Sequence, residues 1–361
     1  MRKKILSTLL LSTIFAIACK NDTKLMKSND SNAPIAEKQP TKLEKHGDVR
    51  IDNYFWMRLS DEQKVAPIKD AQAQKVIDYL ESENSYYETV TAYTKKFQDQ
   101  LFEEMKGRIK EDDSSVPYKD NGYFYITRFE TGKQYPIYSR KKGNLKAKEE
   151  IMFNVNEMAK GYDYFQLGGL SVSPDNKYAV FATDTVSRRQ YFLRIKNLVT
   201  GEIMSDIIDN TSGVAVWAND NKTIFYSKQN PTTLRSEKIY RHVLGSSASK
   251  DVEVYHEKDE TFGTYVAKSK SESFLIISSY STVSSEAQFL DANNPTGKFK
   301  IVQKRERDLE YNVAHYKDHF YLLTNKDKAT NFKLMKTPIS ATSKENWTNV
   351  IPHRKETLLE D

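Results

Sequence analysis

Five times between Val116 and Leu323 the chain alternates apolar and polar residues, passes a short polar turn, and resumes the alternation. The clearest copies run from Val116 to Ile126 around Asp120-Asn121, from Leu170 to Ala182 around Pro174-Asp175-Asn176, and from Val214 to Tyr226 around Asn219-Asp220-Asn221. Weaker copies run from Tyr265 to Ile277 around Ser269-Lys270-Ser271 and from Val313 to Leu323 around Lys317-Asp318. A period of two belongs to strands, whose side chains point alternately to opposite faces. The turns fall roughly 45 to 55 residues apart, and further strands follow each pair, such as Tyr191 to Leu198, Lys238 to Leu244 and Ala287 to Asp291. That is the spacing of propeller blades. A four-stranded blade has apolar faces that only neighbouring blades can cover, so repetition is a condition of burial. The expected fold is therefore mainly β, a partial β-propeller of about five blades with the last incomplete or barely complete. A sandwich of unrelated strands is the competing architecture, and the regular spacing argues against it. Composition agrees, with 22 Tyr and 17 Phe against 13 Gly and 10 Pro, a balance suited to sheets with polar turns.

Ahead of the strands the period changes. Val76, Ile77 and Leu80, then Tyr87, Val90, Phe97, Leu101 and Met105, recur at three- and four-residue intervals between Ala71 and Gly107. This predicts two helices, with Gly107 as a stop beside Arg108 and Lys110.

At the amino terminus, Met1-Arg2-Lys3-Lys4 precedes an apolar run from Ile5 to Ile17 that is short for a membrane span and reads as a signal peptide over residues 1–18. The run ends in Ala16-Ile17-Ala18-Cys19, an arrangement resembling the bacterial lipobox, and Cys19 is the single cysteine of the chain. One cysteine cannot form an internal disulfide, and lipidation removes an otherwise reactive thiol from an oxidising compartment. Cys19 is therefore the expected lipidation site, and the membrane a partner through that anchor. The expected location is the bacterial cell envelope, on its periplasmic or outer-membrane face. An ordinary signal peptide with a chance cysteine is the alternative. The polar stretch over residues 19–42 reads as a flexible tether.

The chemistry-bearing signatures are sparse. With 55 basic and 49 acidic residues and a net charge of +6, the surface is mixed, and no nucleic-acid partner is expected. The near misses to a nucleophile elbow, Gly169-Leu170-Ser171-Val172-Ser173 and Gly245-Ser246-Ser247-Ala248-Ser249, both lack the last glycine that the strained turn requires. Of the six histidines only His315 and His319 lie close in sequence, in a stretch that reads as a hairpin rather than a helix, so no metal site is expected. Phosphate-loop and dinucleotide fingerprints are missing as well, and no cofactor is expected. Tyr123-Phe124-Tyr125 reads as blade core rather than a base-stacking platform.

The run from His46 to Arg58, HGDVRIDNYFWMR, resembles the opening signature of the prolyl oligopeptidase family, and the likeness continues through Tyr79 to Tyr86 and Asn121-Gly122-Tyr123. Within that family, Ser187 to Tyr191, Val216 to Asp220 and Glu257 to Thr261 resemble the oligopeptidase B branch. The resemblance covers nearly everything from about residue 40 to the end. It implies an N-terminal extended and helical segment over residues 43–112 and a propeller of the family's N-terminal type over 113–361. In the family, a seven-bladed propeller caps an α/β-hydrolase domain that supplies Ser, Asp and His. The chain stops before such a domain, so the resemblance implies a fragment with its α/β-hydrolase domain absent, no catalytic residue of its own, and no activity by itself.

The implied activity of the whole is serine-type hydrolysis of short basic peptides after Arg or Lys, with His as general base toward Ser. The propeller would gate access to the site in the manner of a lid. By resemblance, Asp163 and Arg189 stand where the family places an inter-domain acid and base, the acid here being the shorter Asp. A separate chain carrying a complementing hydrolase domain is a further possible partner. The alternative function is a non-catalytic propeller lipoprotein that binds peptides or a protein partner; it would have to close about five blades or leave two exposed edges.

Overall fold

The structure is a computed structural model that describes residues 32–360, so Cys19 and the leader lie outside the described residues. The chain divides into two compact units after Lys110. No helix among the described residues is long and apolar enough to cross a membrane.

The first unit opens with a hairpin of β1 (Thr41–Lys45) and β2 (Asp48–Asp52). Its two-residue turn needs φ > 0 at both positions, which His46 and Gly47 supply at 56° and 81°. The aromatic part of the signature then packs locally. Trp56 Nε1 donates to the Glu37 carbonyl at 3.0 Å, Gln72 donates to the Trp56 carbonyl at 2.7 Å, and the Lys75 ammonium lies 5.0 Å from the Trp56 ring centre. A short helix α1 (Asp61–Val65) starts at a Ser60 capping box, and α2 (Ala71–Thr91) starts at Asp70, whose carboxylate accepts from Ala73 N–H at 2.7 Å. A single 3-10 turn separates α2 from α3 (Lys95–Gly107), so the two helices lie where the periodicity predicts them. Within this span only Ala73 and Val76 are buried, while Phe97, Leu101, Phe102 and Met105 of α3 are exposed.

The second unit holds five four-stranded blades. The first comprises β3 (Tyr118–Asp120), β4 (Tyr123–Arg128), β5 (Ile137–Lys142) and β6 (Glu149–Asn154), followed by a single-turn helix α4 (Val155–Met158). The second comprises β7 (Gln166–Val172), β8 (Tyr178–Asp184), β9 (Tyr191–Asn197) and the first half of β10 (Ile203–Trp217). The rest of β10 opens the third blade, with β11 (Thr223–Gln229), β12 (Ser236–Val243) and β13 (Val252–His256). The fourth runs through β14 (Gly263–Lys268), β15 (Phe274–Tyr280), β16 (Ser285–Asp291) and β17 (Lys300–Gln303). The fifth runs through β18 (Tyr311–Tyr316), β19 (His319–Thr324), β20 (Lys333–Pro338) and β21 (Thr348–Ile351). The fifth blade has all four strands, the fuller of the two forms expected of an incomplete or barely complete last blade. Every pairing between named strands is antiparallel.

The core lies between blades. Phe153 of the first meets Phe181 of the second with ring centres 4.8 Å apart. Leu193 and Ile195 of the second pack with Trp217 and Tyr226 of the third. Phe225 and Ile239 pack with Val266 and Leu275 of the fourth, and Phe289 packs with Phe320 and Trp347 of the fifth. Each such side chain contributes about 1.5–3 kcal/mol when removed from water, and only a neighbouring blade can provide the cover.

The turn between the first two strands of each blade carries one non-glycine residue in the left-handed region: Asn121, Asn176, Asn221, Glu272 and Lys317, at φ 40°, 63°, 59°, 58° and 56°. These turns share one end of the unit and bond from blade to blade. Asn176 Nδ2 donates to the Asn121 carbonyl at 3.1 Å, Asp175 N–H to Asn221 Oδ1 at 2.8 Å, and Asn219 Nδ2 to the Glu272 carbonyl at 3.1 Å. Ser271 Oγ lies 2.6 Å from His315 Nδ1.

Candidate functional site

Asp163 and Arg189 are brought to one end of the second blade, opposite the Asn-rich turns. Gln166, first residue of β7, pairs with Asp184, last residue of β8, so the segment entering β7 and the loop leaving β8 emerge together. Both side chains are exposed, and among the described residues neither takes part in an ion pair. What the fold fixes is the backbone that presents them.

For Arg189 the fixing group is Asp184. Its buried carboxylate accepts from Val186 N–H at 2.9 Å and from Arg189 N–H at 2.8 Å, folding residues 185–190 around one acid. Ser187 and Arg189 take up the left-handed conformation at φ 60° and 56° that the tight loop demands. For Asp163 the fixing group is Phe165, which is buried with its ring 5.6 Å from that of Tyr162 and 6.5 Å from that of Tyr135. Asn156 reinforces this by accepting from Tyr135 N–H at 2.9 Å and donating to the Tyr135 carbonyl at 2.7 Å. Between the two loops, Gln166 Oε1 accepts from both Tyr164 and Tyr191 hydroxyls at 2.9 Å. Burial, and then the Asp184 charge, hold the Tyr191 hydroxyl above its ordinary range, so it serves as a donor.

Two further arrangements were not read from the sequence. The crossing from the third to the fourth blade is clasped by Arg235, which donates to the carbonyls of Glu257, Asp259 and Phe262 at 3.3, 3.3 and 2.9 Å. Beside it, Arg305 meets the buried Glu257 through two bonds of 3.2 and 2.5 Å, and its guanidinium lies 4.0 Å from the Phe262 ring centre. Glu257 opens the branch-like motif quoted above, which was the one signal available; its partner lies 48 residues on.

The first strands of four blades contribute to a mixed polar and apolar pocket of about 420 Å³ at the Asn-rich end, lined by Tyr118, Ser171, Trp217 and Lys268 among others. Burial holds the Lys268 ammonium below its ordinary range, and Glu272, 4.0 Å away, with Asp120 of the same pocket, opposes the shift.

The candidate serines and histidines fall into structural roles. Ser171 lies within β7, and Ser247 caps a short 3-10 turn by accepting from Ser249 N–H at 3.4 Å. His315 and His319 flank the hairpin turn as expected, with Tyr316 paired to His319. The Ser271–His315 contact has the polarity of a nucleophile and its base, but the other ring nitrogen faces the Lys317 carbonyl at 2.5 Å rather than a carboxylate. With its ring edge-on to Phe274 at 4.7 Å, His315 stitches the fourth blade to the fifth.

The arrangement presents a charged rim at one end of the second blade and a lined pocket at the other. A family model described as the prolyl oligopeptidase N-terminal beta-propeller domain matches residues 34–361. Dipeptidyl aminopeptidase BI of Pseudoxanthomonas mexicana is 37% identical over 354 residues, covering 94% of this chain and 47% of that protein. The structure of oligopeptidase B from Leishmania major superposes with a TM-score of 0.81 at 29% identity, covering 91% of this chain and 47% of that one. Oligopeptidase B from Trypanosoma brucei gives a TM-score of 0.80 at 27% identity, with 91% and 48% covered. The chain spans about half the length of the relatives it matches.

Proposed function

The chain belongs to the prolyl oligopeptidase family as its N-terminal β-propeller domain, and from that membership we propose that it forms the gating half of an oligopeptidase-B-type serine endopeptidase acting after Arg or Lys. The observation that carries this reading is the likeness to oligopeptidase B along 91% of the chain. In this reading those two side chains stand unpaired because their partners belong to the catalytic body, and the exposed apolar face of α3 docks on the same body. Rim charges bias the closed state, and closure admits only short basic peptides. A lipid on Cys19 holds the protein at the cell envelope.

A second reading comes from the 37% identity to a protein named dipeptidyl aminopeptidase. Release of dipeptides requires a free amino terminus on the substrate; endopeptidase action does not. The protein as its own cells produce it, captured through the propeller, is given two chromogenic substrates. Cleavage of an N-blocked substrate ending in Arg, stopped by a serine-directed reagent, is the expected result. Cleavage confined to a free-amino dipeptide substrate favours the second reading, and hydrolysis of neither favours a non-catalytic binding role. Incorporation of labelled fatty acid that is lost on Cys19→Ser tests the anchor.

A further inference from the structure

At the outer side of the second blade, the strands β9 and β10 present a face that the first blade covers only in part. Phe192, Arg194 and Lys196 alternate along β9 and so share this face. Arg194 lies across from Phe181 on one side and Ile207 on the other, and Lys196 lies across from Ile203. Phe153 of β6 and Met158 of α4 form the facing wall, leaving a groove of about 630 Å³. Its lining is mostly apolar and aromatic, yet Phe192, Ile203 and Ile207 remain 41%, 42% and 49% exposed.

The charges in the groove carry one sign. Lys196 donates to the Met152 carbonyl at 2.7 Å and lies 5.0 Å from the Phe153 ring centre, so its ammonium is held but not neutralised. Arg194 sits between Phe181 and Ile207 and, among the described residues, has no carboxylate partner. Three of the acids that come near in sequence are engaged elsewhere, while the exposed Glu202 and Asp163, next to the lining residues Ile203 and Tyr162, take part in no ion pair among the described residues. Glu157 pairs with Lys160, Asp209 pairs with Lys228 at 3.4 Å, and Asp206 points to the other face, toward His242. A guanidinium without a partner, set among aromatic and branched side chains with an open apolar trough beside it, suits a ligand with one acidic head on a hydrocarbon body.

We infer that this groove binds a monomeric long-chain carboxylate, its head on Arg194 and its chain along the exposed Phe192 and Ile207. The volume suits such a ligand, and Lys196 supplies a second cation at the Ile203 end. Neither the peptidase reading nor the lipid anchor enters the argument, since the groove is complete within the second unit.

The test is calorimetric titration of the full chain with oleate below its micelle concentration, with oleyl alcohol as the uncharged control. One oleate per chain is expected, with the alcohol at least about tenfold weaker, the size of one charge-assisted contact. Arg194→Gln should weaken oleate about tenfold while leaving the alcohol unchanged. Ile207→Glu, at a half-exposed position, provides an independent variant that should abolish oleate binding. Equal affinity for oleate and alcohol, indifference to both substitutions, or association only with oleate-containing vesicles and not with the monomer would each overturn the inference.

Discussion

Gly169 of β7 approaches Gly213 of β10 so closely that a β-carbon built on Gly169 would lie 1.6 Å from the Gly213 carbonyl oxygen. Both residues sit at register shifts, at φ 56° and 83°, and the Tyr191 ring lies 3.0 Å from where a Gly213 β-carbon would be. This contact lets the first strands of the second and third blades meet. Gly169→Ala must push two backbones apart, and a loss of about 3 kcal/mol or more is expected, equivalent to a fall of roughly 6–12 °C in Tm. Gly201→Ala serves as control, because Gly201 also has positive φ (81°) but open space around it. There the cost should be about 1–2 kcal/mol, from the left-handed conformation alone. Equal melting temperatures for the two variants would show that the close approach carries no energy.

The turns explain both what the sequence displayed and what it hid. Asn121, Asn176 and Asn221 announce their left-handed conformation by residue type, and these three blades read clearly. Glu272 and Lys317 take up the same conformation without that preference, which is why the last two copies read weakly. The fusion of the second and third blades through β10 was not legible, because a strand continuing past Asn210 and Gly213 looks like a break in the alternation. Arg189 was named from resemblance, but its holder Asp184 and the partnership of Glu257 with Arg305 depend on register and on long sequence separation.

Glu257 and Arg305 offer a sharper test of that long-range contact. Burial opposes ionisation of Glu257, but the Arg305 and Tyr255 hydrogen bonds outweigh it, and the carboxyl is held below its ordinary range. Its contribution to stability is therefore complete above the unfolded-state pKa of about 4.3 and is lost as pH falls through the lower folded value. Glu257→Gln leaves Arg305 with the Glu286 carboxylate, 3.4 Å away, and should cost about 1–3 kcal/mol at neutral pH. With Arg305→Met already in place, Glu257→Gln should cost less, because the contact it removes is gone. Strictly additive losses in the double variant would contradict the pairing, as read by urea unfolding at pH 7.

On the rim, charge rather than packing is at stake. Arg189 is exposed, and its hold on the fold runs through its backbone N–H to Asp184, so Arg189→Glu should leave stability within about 0.5 kcal/mol. If the side chain faces a catalytic body, the same substitution should weaken closure. It is expected to raise KM several-fold, with the effect shrinking at high salt as screening removes the charge contribution. Asp184→Ala releases the loop itself and should lower both stability and activity. A salt-independent KM in Arg189→Glu would remove the electrostatic role.

His242 is fully buried between two carboxylates, with Nδ1 2.7 Å from Asp251 and Nε2 3.3 Å from Asp206. Asp251 also accepts from Tyr226 Oη at 3.0 Å, and Asp206 accepts from Gly245 N–H at 2.9 Å, so both carboxylates are placed to accept from a protonated imidazole. Burial lowers the pKa of the ring, but the hydrogen bond and charge of Asp251, followed by those of Asp206, outweigh it and raise it. Protonation of His242 thus favours the folded state. The contribution is fully present below the unfolded-state pKa of about 6.5 and is lost as pH rises through the higher folded value. Melting temperature should fall across that window in the unmodified protein. In His242→Gln it should start lower and vary less with pH, because two buried acids then share a partner that does not titrate. The neighbouring pairs Tyr240 with Glu253 and Lys228 with Asp209 remain in both proteins, so subtracting the two profiles isolates the imidazole. Parallel profiles would mean that the ring is neutral in the folded state and that one carboxylate faces a bare nitrogen.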